Sequence, residues 1–379
     1  MIKKRLYTPG PTPVPEQIML TMAEPMIHHR HPEFQEILKS VNENLKYLFQ
    51  TDQGVMTLTS SGTGAMEASV ANVLSKGDTA VYINGGKFGE RWGEILNAYG
   101  LNAVEITMEW GTPVTAEQVI DTIKNNPETK AVYLTHSETS TGTATDIKTI
   151  AEAVHKHNND IAVIVDGITS VGAMKNKMDE WDLDIVVTGS QKGLMIPPGL
   201  SHIAVSERAW KLIEKSDLPS YYFDLKAAKE ALDKTDTPWT PAVTLFIGLE
   251  KALTMLREEG IENVWARHQK LADAIREGCQ ALGLKLLSSS PSNALTAVYV
   301  PDNVEFKKFN SVIKQKYGIT VAGGQGHLKG KIFRISHLGY YDELDMMTMM
   351  AALERTLVEV GADITVGAGL TAAQKIFTK

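Results

Sequence analysis

Asp184-Ile-Val-Val-Thr-Gly-Ser-Gln-Lys192-Gly193 decides how the rest of this chain is read. Asp184 to Thr188 has the apolar, β-branched make-up of a short buried strand, and Gly189-Ser190 breaks it. Lys192 follows at the tip, ahead of Leu194-Met195-Ile196 and a Pro197-Pro198-Gly199 turn. Open α/β sheets take their ligands at the carboxyl ends of their strands, which is where this lysine falls. An amine in such a place can lose its proton and act as a nucleophile, because desolvation and neighbouring cations lower its pKa.

Upstream, Ile161-Ala-Val-Ile-Val-Asp166 is a second apolar run, ending in a carboxylate and followed by Gly167-Ile-Thr-Ser-Val-Gly172. One strand and one crossover separate Asp166 from Lys192, so both can face one crevice. A lysine for a cofactor aldehyde and an aspartate for its ring nitrogen are the minimum that pyridoxal phosphate chemistry asks of a protein. Further motifs join them: TPGPTPVP at 8–15, SSGTGAMEA at 60–68, VDGITSVG at 165–172, GSQKG at 189–193 and KIFRISHLG at 331–339. In this combination the chain resembles the class V aminotransferases of pyridoxal phosphate fold type I, most closely the alanine–glyoxylate, serine–glyoxylate and serine–pyruvate group.

Bulk composition agrees with an enzyme of that kind. Hydrophobic residues make up 43% and charged residues 22% of 379 residues, ordinary for a globular protein. A net charge of −7 leaves no basic footprint for nucleic acid. Cys279 is the only cysteine, which excludes an internal disulfide or a multi-cysteine metal site. Met1-Ile-Lys-Lys-Arg-Leu-Tyr7 has no apolar stretch behind its basic residues, and no run of about 18 apolar residues occurs anywhere. A cytoplasmic protein with no membrane span is the expectation.

Taken in order, residues 8–15 are too rich in Pro and Gly for a helix or central strand and read as an irregular arm. A helix is expected over Pro32–Phe49, with Phe34, Ile37, Leu38, Val41, Leu45 and Leu48 at helical spacing. The histidines at 28, 29 and 31 lack spaced carboxylate or cysteine ligands, so no metal is expected there. Strands at 54–59, 79–83, 131–135, 161–166, 184–188 and 201–205 alternate with helical stretches. That order predicts a mainly parallel sheet with helices on both faces, and the resemblance implies seven strands in it. Gly62-x-Gly64 fails as a dinucleotide fingerprint, because Glu67 stands where a third glycine is needed. The turn still offers free amides and a helix dipole to a phosphate. Phe88 is read as a loop aromatic between glycines. Residues 216–240 read as loop, 242–259 as a long helix. Strands near 296–300 and 331–336, with a helix at 306–317, form a smaller α+β unit. The division expected is an arm at 1–20, a large domain at 21–258 and a small one at 259–379.

The resemblance carries roles onto particular residues. It implies that Ser61, Gly62 and Thr63 meet the cofactor phosphate, that Gln191 also binds the cofactor, that Phe88 stacks on its ring and that Thr139 lies near its ring oxygen. Asp166 then serves the ring nitrogen, and Lys192 the aldehyde. Pro9 and Gly10 belong to the arm that closes the substrate pocket, and Arg334 matches the clamp for the substrate carboxylate. Thr240 matches a hydroxyl that reaches a neighbouring subunit's phosphate, implying a homodimer with shared sites. Thr237 stands where the family usually has a tyrosine. The expected activity is ping-pong transfer of an amino group from a small 2-amino acid to glyoxylate or pyruvate. Aspartate, an aminophosphonate or an aminosulfonate are alternative donors, for which His28, His29, Arg30 and His337 are candidate contacts. A cysteine desulfurase would need a loop cysteine late in the chain, and Gly323-Gly-Gln-Gly326 has none. A non-catalytic hydrogenase-associated subunit is the remaining alternative.

Overall fold

Hydrophobic runs buried on both faces require a sheet covered twice, and the chain builds one. The computed structural model describes residues 2–378. Its strands are β1 (Arg5–Tyr7), β2 (Val55–Leu58), β3 (Thr79–Asn84), β4 (Asn102–Thr107), β5 (Thr129–Thr135), β6 (Ser137–Glu138), β7 (Thr143–Ala144), β8 (Ala162–Asp166), β9 (Ile185–Gly189), β10 (Ser201–Val205), β11 (Leu295–Tyr299), β12 (Ile319–Gly323) and β13 (Ile332–Ser336). The helices are α1 (Glu16–Met22), α2 (Pro32–Phe49), α3 (Gly62–Ala71), α4 (Lys87–Ala98), α5 (Ala116–Asn125), α6 (Ile147–His157), α7 (Glu207–Ile213), α8 (Leu225–Asp233), α9 (Val243–Glu259), α10 (Ile261–Ala281), α11 (Phe306–Tyr317), α12 (Glu343–Val360) and α13 (Ala368–Phe377). None is long and apolar enough to cross a membrane.

Seven strands form the large sheet, in the order β2-β10-β9-β8-β5-β3-β4. Every neighbouring pair is parallel except those made by β10, which runs against both β9 and β2. The expected mainly parallel seven-stranded α/β sheet is therefore present. Alternation along β8 explains the double covering. Val163 and Val165 pack into one buried cluster with α2, α6 and α9, while Ala162 and Ile164 pack into another with α3, α4 and α7. Strand order reverses at β3, with β4 on one side and β5 on the other. Ligand crevices open at such a switch; Phe88 lies at the start of the helix after β3, and Thr139 in the segment after β5.

A second sheet, β1-β12-β13-β11, is four-stranded. Its edge strand β1 comes from the N-terminus and runs parallel to β12, Arg5 opposite Ile319 and Tyr7 opposite Val321. Strands β1, β4 and β12 have no counterpart in the sequence reading. β1 is three residues long, and β4 is half exposed at a sheet edge, so neither carries a continuous apolar run. Residues 216–240 are not all loop either: Asp224 caps α8 by accepting from Lys226 N and Ala227 N, and Leu225 and Ala228 are buried beneath it. Phe88 also moves from the expected loop into the first turn of α4. The glycines at 85 and 86 end the strand, and the helix starts one residue before the aromatic.

The layer behind the site depends on a neutral histidine. His268, fully buried on α10, donates from Nδ1 to Val264 O at 2.7 Å, and its Nε2 accepts from Gly339 N at 2.9 Å. Burial lowers its pKa from 6.5 to about 3. The unfolded chain takes up this proton below about pH 6.5 and the folded chain does not, so the stability held by His268 is complete above pH 6.5 and drains away toward pH 3. At pH 4 the loss is on the order of 3 kcal/mol. Thermal midpoints should therefore fall between pH 6.5 and 4. In His268→Gln the midpoint should start lower and fall less steeply; an unchanged slope would exclude His268 as the titrating group.

Candidate active site

Parallel pairing of β8 with β9 sets Asp166 opposite Val187, at the carboxyl edge of the large sheet. Three residues beyond the end of β9, in a tight turn, stands Lys192. Both side chains are buried, yet they form no ion pair with each other among the described residues. Burial lowers the Lys192 amine from 10.5 to about 8, an effect that Asp166 opposes and that Arg334 and Arg91 reinforce. Burial likewise raises Asp166 to about 7. A hydrogen bond from Ile168 N at 2.8 Å opposes this shift, Glu138 adds to it, and Lys192 and Arg91 counter it. That bond falls on Oδ1, and no described residue donates to Oδ2.

The N-terminal arm lies directly on the amine. Lys192 Nζ donates to Pro9 O at 2.6 Å. Thr12 fastens the arm to the same turn, its amide donating to Gln191 O at 3.2 Å and its hydroxyl to Lys192 O at 3.0 Å. A Cβ at Gly10 would fall on the Lys192 amine, so glycine is required here for close approach. Pro9 and Gly10 thus meet Lys192, while Thr12 escaped the sequence reading.

Ser61 stands at the N-cap of α3 without a side-chain cap bond, and the Gly62 and Thr63 amides donate to no described group. Gly62 has no room for a side chain, since a Cβ would lie 2.5 Å from Ile168 Cδ1. The Gln191 side-chain oxygen is buried nearby and unpartnered among the described residues. A Cβ added at Gly189 would touch both that oxygen and the Gly62 amide, at 3.2 and 3.4 Å. Free helix-end amides are donors that an oxyanion group completes.

Arg334 enters from β13 and is buried. Its Nε and one terminal nitrogen donate to Gly323 O at 3.0 and 2.8 Å, and the other to Thr139 O at 2.8 Å. Three of five donors are used, no described carboxylate pairs with it, and burial lowers its pKa to about 10. The Thr139 and Thr169 hydroxyls meet at 2.7 Å.

Glu138, which the sequence reading passed over among the hydroxyls of SETSTG, braces this region. Buried in β6, just after β5, it accepts from Phe88 N at 3.1 Å and Gly89 N at 2.8 Å through Oε2. Through Oε1 it accepts from Ser140 N at 3.0 Å and Ser140 Oγ at 2.5 Å. One carboxylate thus caps α4 under Phe88 and holds the loop that carries Thr139. Only an acid in a stretch otherwise made of hydroxyls and glycine signalled it.

Other expected residues lie apart. Thr240 is exposed beside β2, and no hydrogen bond joins it to the Ser61–Thr63 turn within one chain. Thr237 is buried, its hydroxyl donating to Trp239 O at 2.9 Å, and cannot serve as a free ligand. His28 and His31 accept local amides, Arg30 pairs with Asp236, and no described group of three His, Cys, Asp or Glu is arranged for a metal. His337 is fully buried with both ring nitrogens bonded, to Asn293 O and the Thr296 hydroxyl, which removes it as a substrate contact.

A family model described as aminotransferase class-V matches residues 6–342. The chain is 44% identical to the soluble hydrogenase small subunit of Synechococcus sp. (strain PCC 6716), with 99% of each covered. It is 35% identical to the L-aspartate–glyoxylate aminotransferase of Paracoccus denitrificans, covering 98% of this chain and 95% of the relative. The crystal structure of ureidoglycine–glyoxylate aminotransferase from Bacillus subtilis superposes with a TM-score of 0.95 at 30% identity, over 100% of this chain and 99% of that one.

The neutral Lys192 amine is the reactive form, so its labelling by a small aldehyde under borohydride should rise with pH around a midpoint near 8. Above pH 7 Asp166 is mostly ionised and holds that midpoint up, so Asp166→Asn should move it lower. Peptide mapping across a pH series checks both; a midpoint near 10.5 would contradict the burial argument.

Proposed function

This chain belongs to the class V aminotransferases, a pyridoxal-phosphate-dependent family, and on that premise we propose that it moves an amino group from a small 2-amino acid, such as alanine or serine, to glyoxylate or pyruvate in a ping-pong sequence. The observation that carries this reading is Arg334, a buried guanidinium with two unused donors and no carboxylate partner, close enough to Lys192 to lower its pKa. A planar fork of this kind suits a substrate carboxylate.

Pyridoxal 5′-phosphate, when bound, supplies an aldehyde that bonds amines and a ring that takes up electrons from a substrate α-carbon. The residues present fit that group. Gly62 N, Thr63 N, Ser61 and the Gln191 side chain would hold its phosphate, Asp166 its ring nitrogen, Thr139 its ring oxygen and Phe88 one ring face. Lys192 would hold its aldehyde, and its amine, unprotonated above a pKa of about 8, would take the proton from the donor's α-carbon. Asp166, as a carboxylate, would hold a proton at the ring nitrogen through its opposite charge, against the burial that raises its own pKa to about 7. Arg334 would orient the α-carboxylate. Pro9 and Gly10 press against Lys192 so closely that a short donor side chain fits best.

Glyoxylate as acceptor draws on the relatives' names. Exposed Thr240 supports a homodimer in which the hydroxyl serves a neighbouring chain. The hydrogenase relative points to a second reading, a subunit with no catalysis of its own; the burial and mutual influence of Lys192 and Asp166 favour the enzyme. One buried cysteine gives this chain no thiolate set for a nickel or iron–sulfur centre.

A donor panel with glyoxylate, following glycine and the 2-oxo product, tests the reading: alanine or serine should lead. Arg334→Gln should weaken every carboxylate donor by about 10- to 100-fold, the value of a charge-assisted pair, while Lys192 labelling persists. Turnover only with amines that lack a carboxylate would overturn the clamp.

A further inference from the structure

Charge at the start of α3 does not balance for the group assigned to it. A phosphate monoester carries about −1.5 to −2 near neutral pH, and a helix N-terminus offers about +0.5. Ser60 to Gly64 contain no lysine or arginine. The missing cation comes from another helix. Arg91, one turn beyond Phe88 on α4, donates from a terminal nitrogen to Thr63 Oγ1 at 3.2 Å. Its guanidinium lies over the Phe88 ring, 5.0 Å from the centroid. Lys87 and Glu90 on the same helix pair with each other, whereas Arg91 has no carboxylate partner among the described residues. Half-buried, with one hydrogen bond, it keeps donors free toward the crevice.

We propose that Arg91 is a cofactor-binding residue, supplying the positive charge that the Ser61–Thr63 turn lacks and reaching the phosphate beside Thr63. This deepens the reading given under Proposed function and rests on it. The influence of Arg91 on both Asp166 and Lys192, lowering each, agrees with a cation within electrostatic reach of the whole crevice. Stacking on Phe88 fixes the guanidinium plane, so the ring assigned to the cofactor's face and the cation assigned to its phosphate form one rigid unit.

The test compares pyridoxal 5′-phosphate with pyridoxal, which lacks the phosphate, on protein stripped of bound cofactor. Dissociation constants are read by tryptophan fluorescence, and thermal midpoints with inorganic phosphate as a second probe. In Arg91→Met, affinity for pyridoxal 5′-phosphate should fall about tenfold to hundredfold, affinity for pyridoxal should change less than about twofold, and protection by inorganic phosphate should vanish. Arg91→Lys should recover part of the loss and controls for folding. Equal losses for both ligands would overturn the proposal, making Arg91 a prop for the crevice. So would unchanged cofactor affinity with a raised KM for dicarboxylate donors only, which would move the residue to the substrate. If the parent protein binds neither compound, the aminotransferase reading itself fails; if the parent binds and the variants match it, only the role of Arg91 does.

Discussion

An amine and a carboxylate buried at the ends of neighbouring strands, close enough to shift each other's pKa but not paired, set the terms for everything around them. Direct pairing would fix Lys192 as an ammonium and remove its nucleophilicity. Full separation would leave two uncompensated charges in the interior, at a cost of several kcal/mol each. The structure takes neither course. Parallel registry of β8 and β9 fixes the edge from which both project, the glycine-rich turns after each strand leave room in front of them, and backbone groups take up the leftover polarity: Ile168 N on the aspartate, Pro9 O on the amine.

Arg334 and Glu138 follow the same logic one step out. The arginine is solvated by carbonyl oxygens instead of carboxylates, which keeps its charge available. The glutamate is solvated by amides and a hydroxyl, a full set of donors for an anion whose own pKa burial raises. Because its donors belong to α4 and to the loop after β5, it ties together the two sides of the point where strand order reverses. An added Cβ on Gly86 would collide with Glu138 and Ser140, so the loop after β3 closes onto this carboxylate through a glycine.

Where the sequence was legible, one physical signal dominated. The long apolar runs of β8, β9 and β10 and the helical spacing of 32–49 identified those elements with bounds within a residue or two. Lys192 and Asp166 stood out because charge at the end of an apolar run is costly and therefore informative. Strand β1 did not stand out, since three residues at a sheet edge carry no pattern and their partner lies at the other end of the chain. Glu138, Thr12 and Arg91 act through backbone or hydroxyl contacts between distant segments, and local sequence carries no mark of such pairings. The misplacement of Phe88 has a local cause: glycines signal a turn, but the side-chain acceptor that starts the helix beneath this residue comes from 50 positions away.

Strand β1 sets a timetable for the whole molecule. Its partner β12 is made roughly 300 residues later, and β13, which brings Arg334, later still. At synthesis rates of about 5–20 residues per second, β1 waits roughly 15 to 60 s for its partner to be made. The large sheet, complete at Val205, can fold well before that. Pro9 and Thr12 reach Lys192 from a strand whose partner is made after the large sheet, so the turn that carries the amine precedes the partner of its arm. A nascent chain therefore passes through a stage in which the large sheet is made and the strand that anchors the arm has no partner yet.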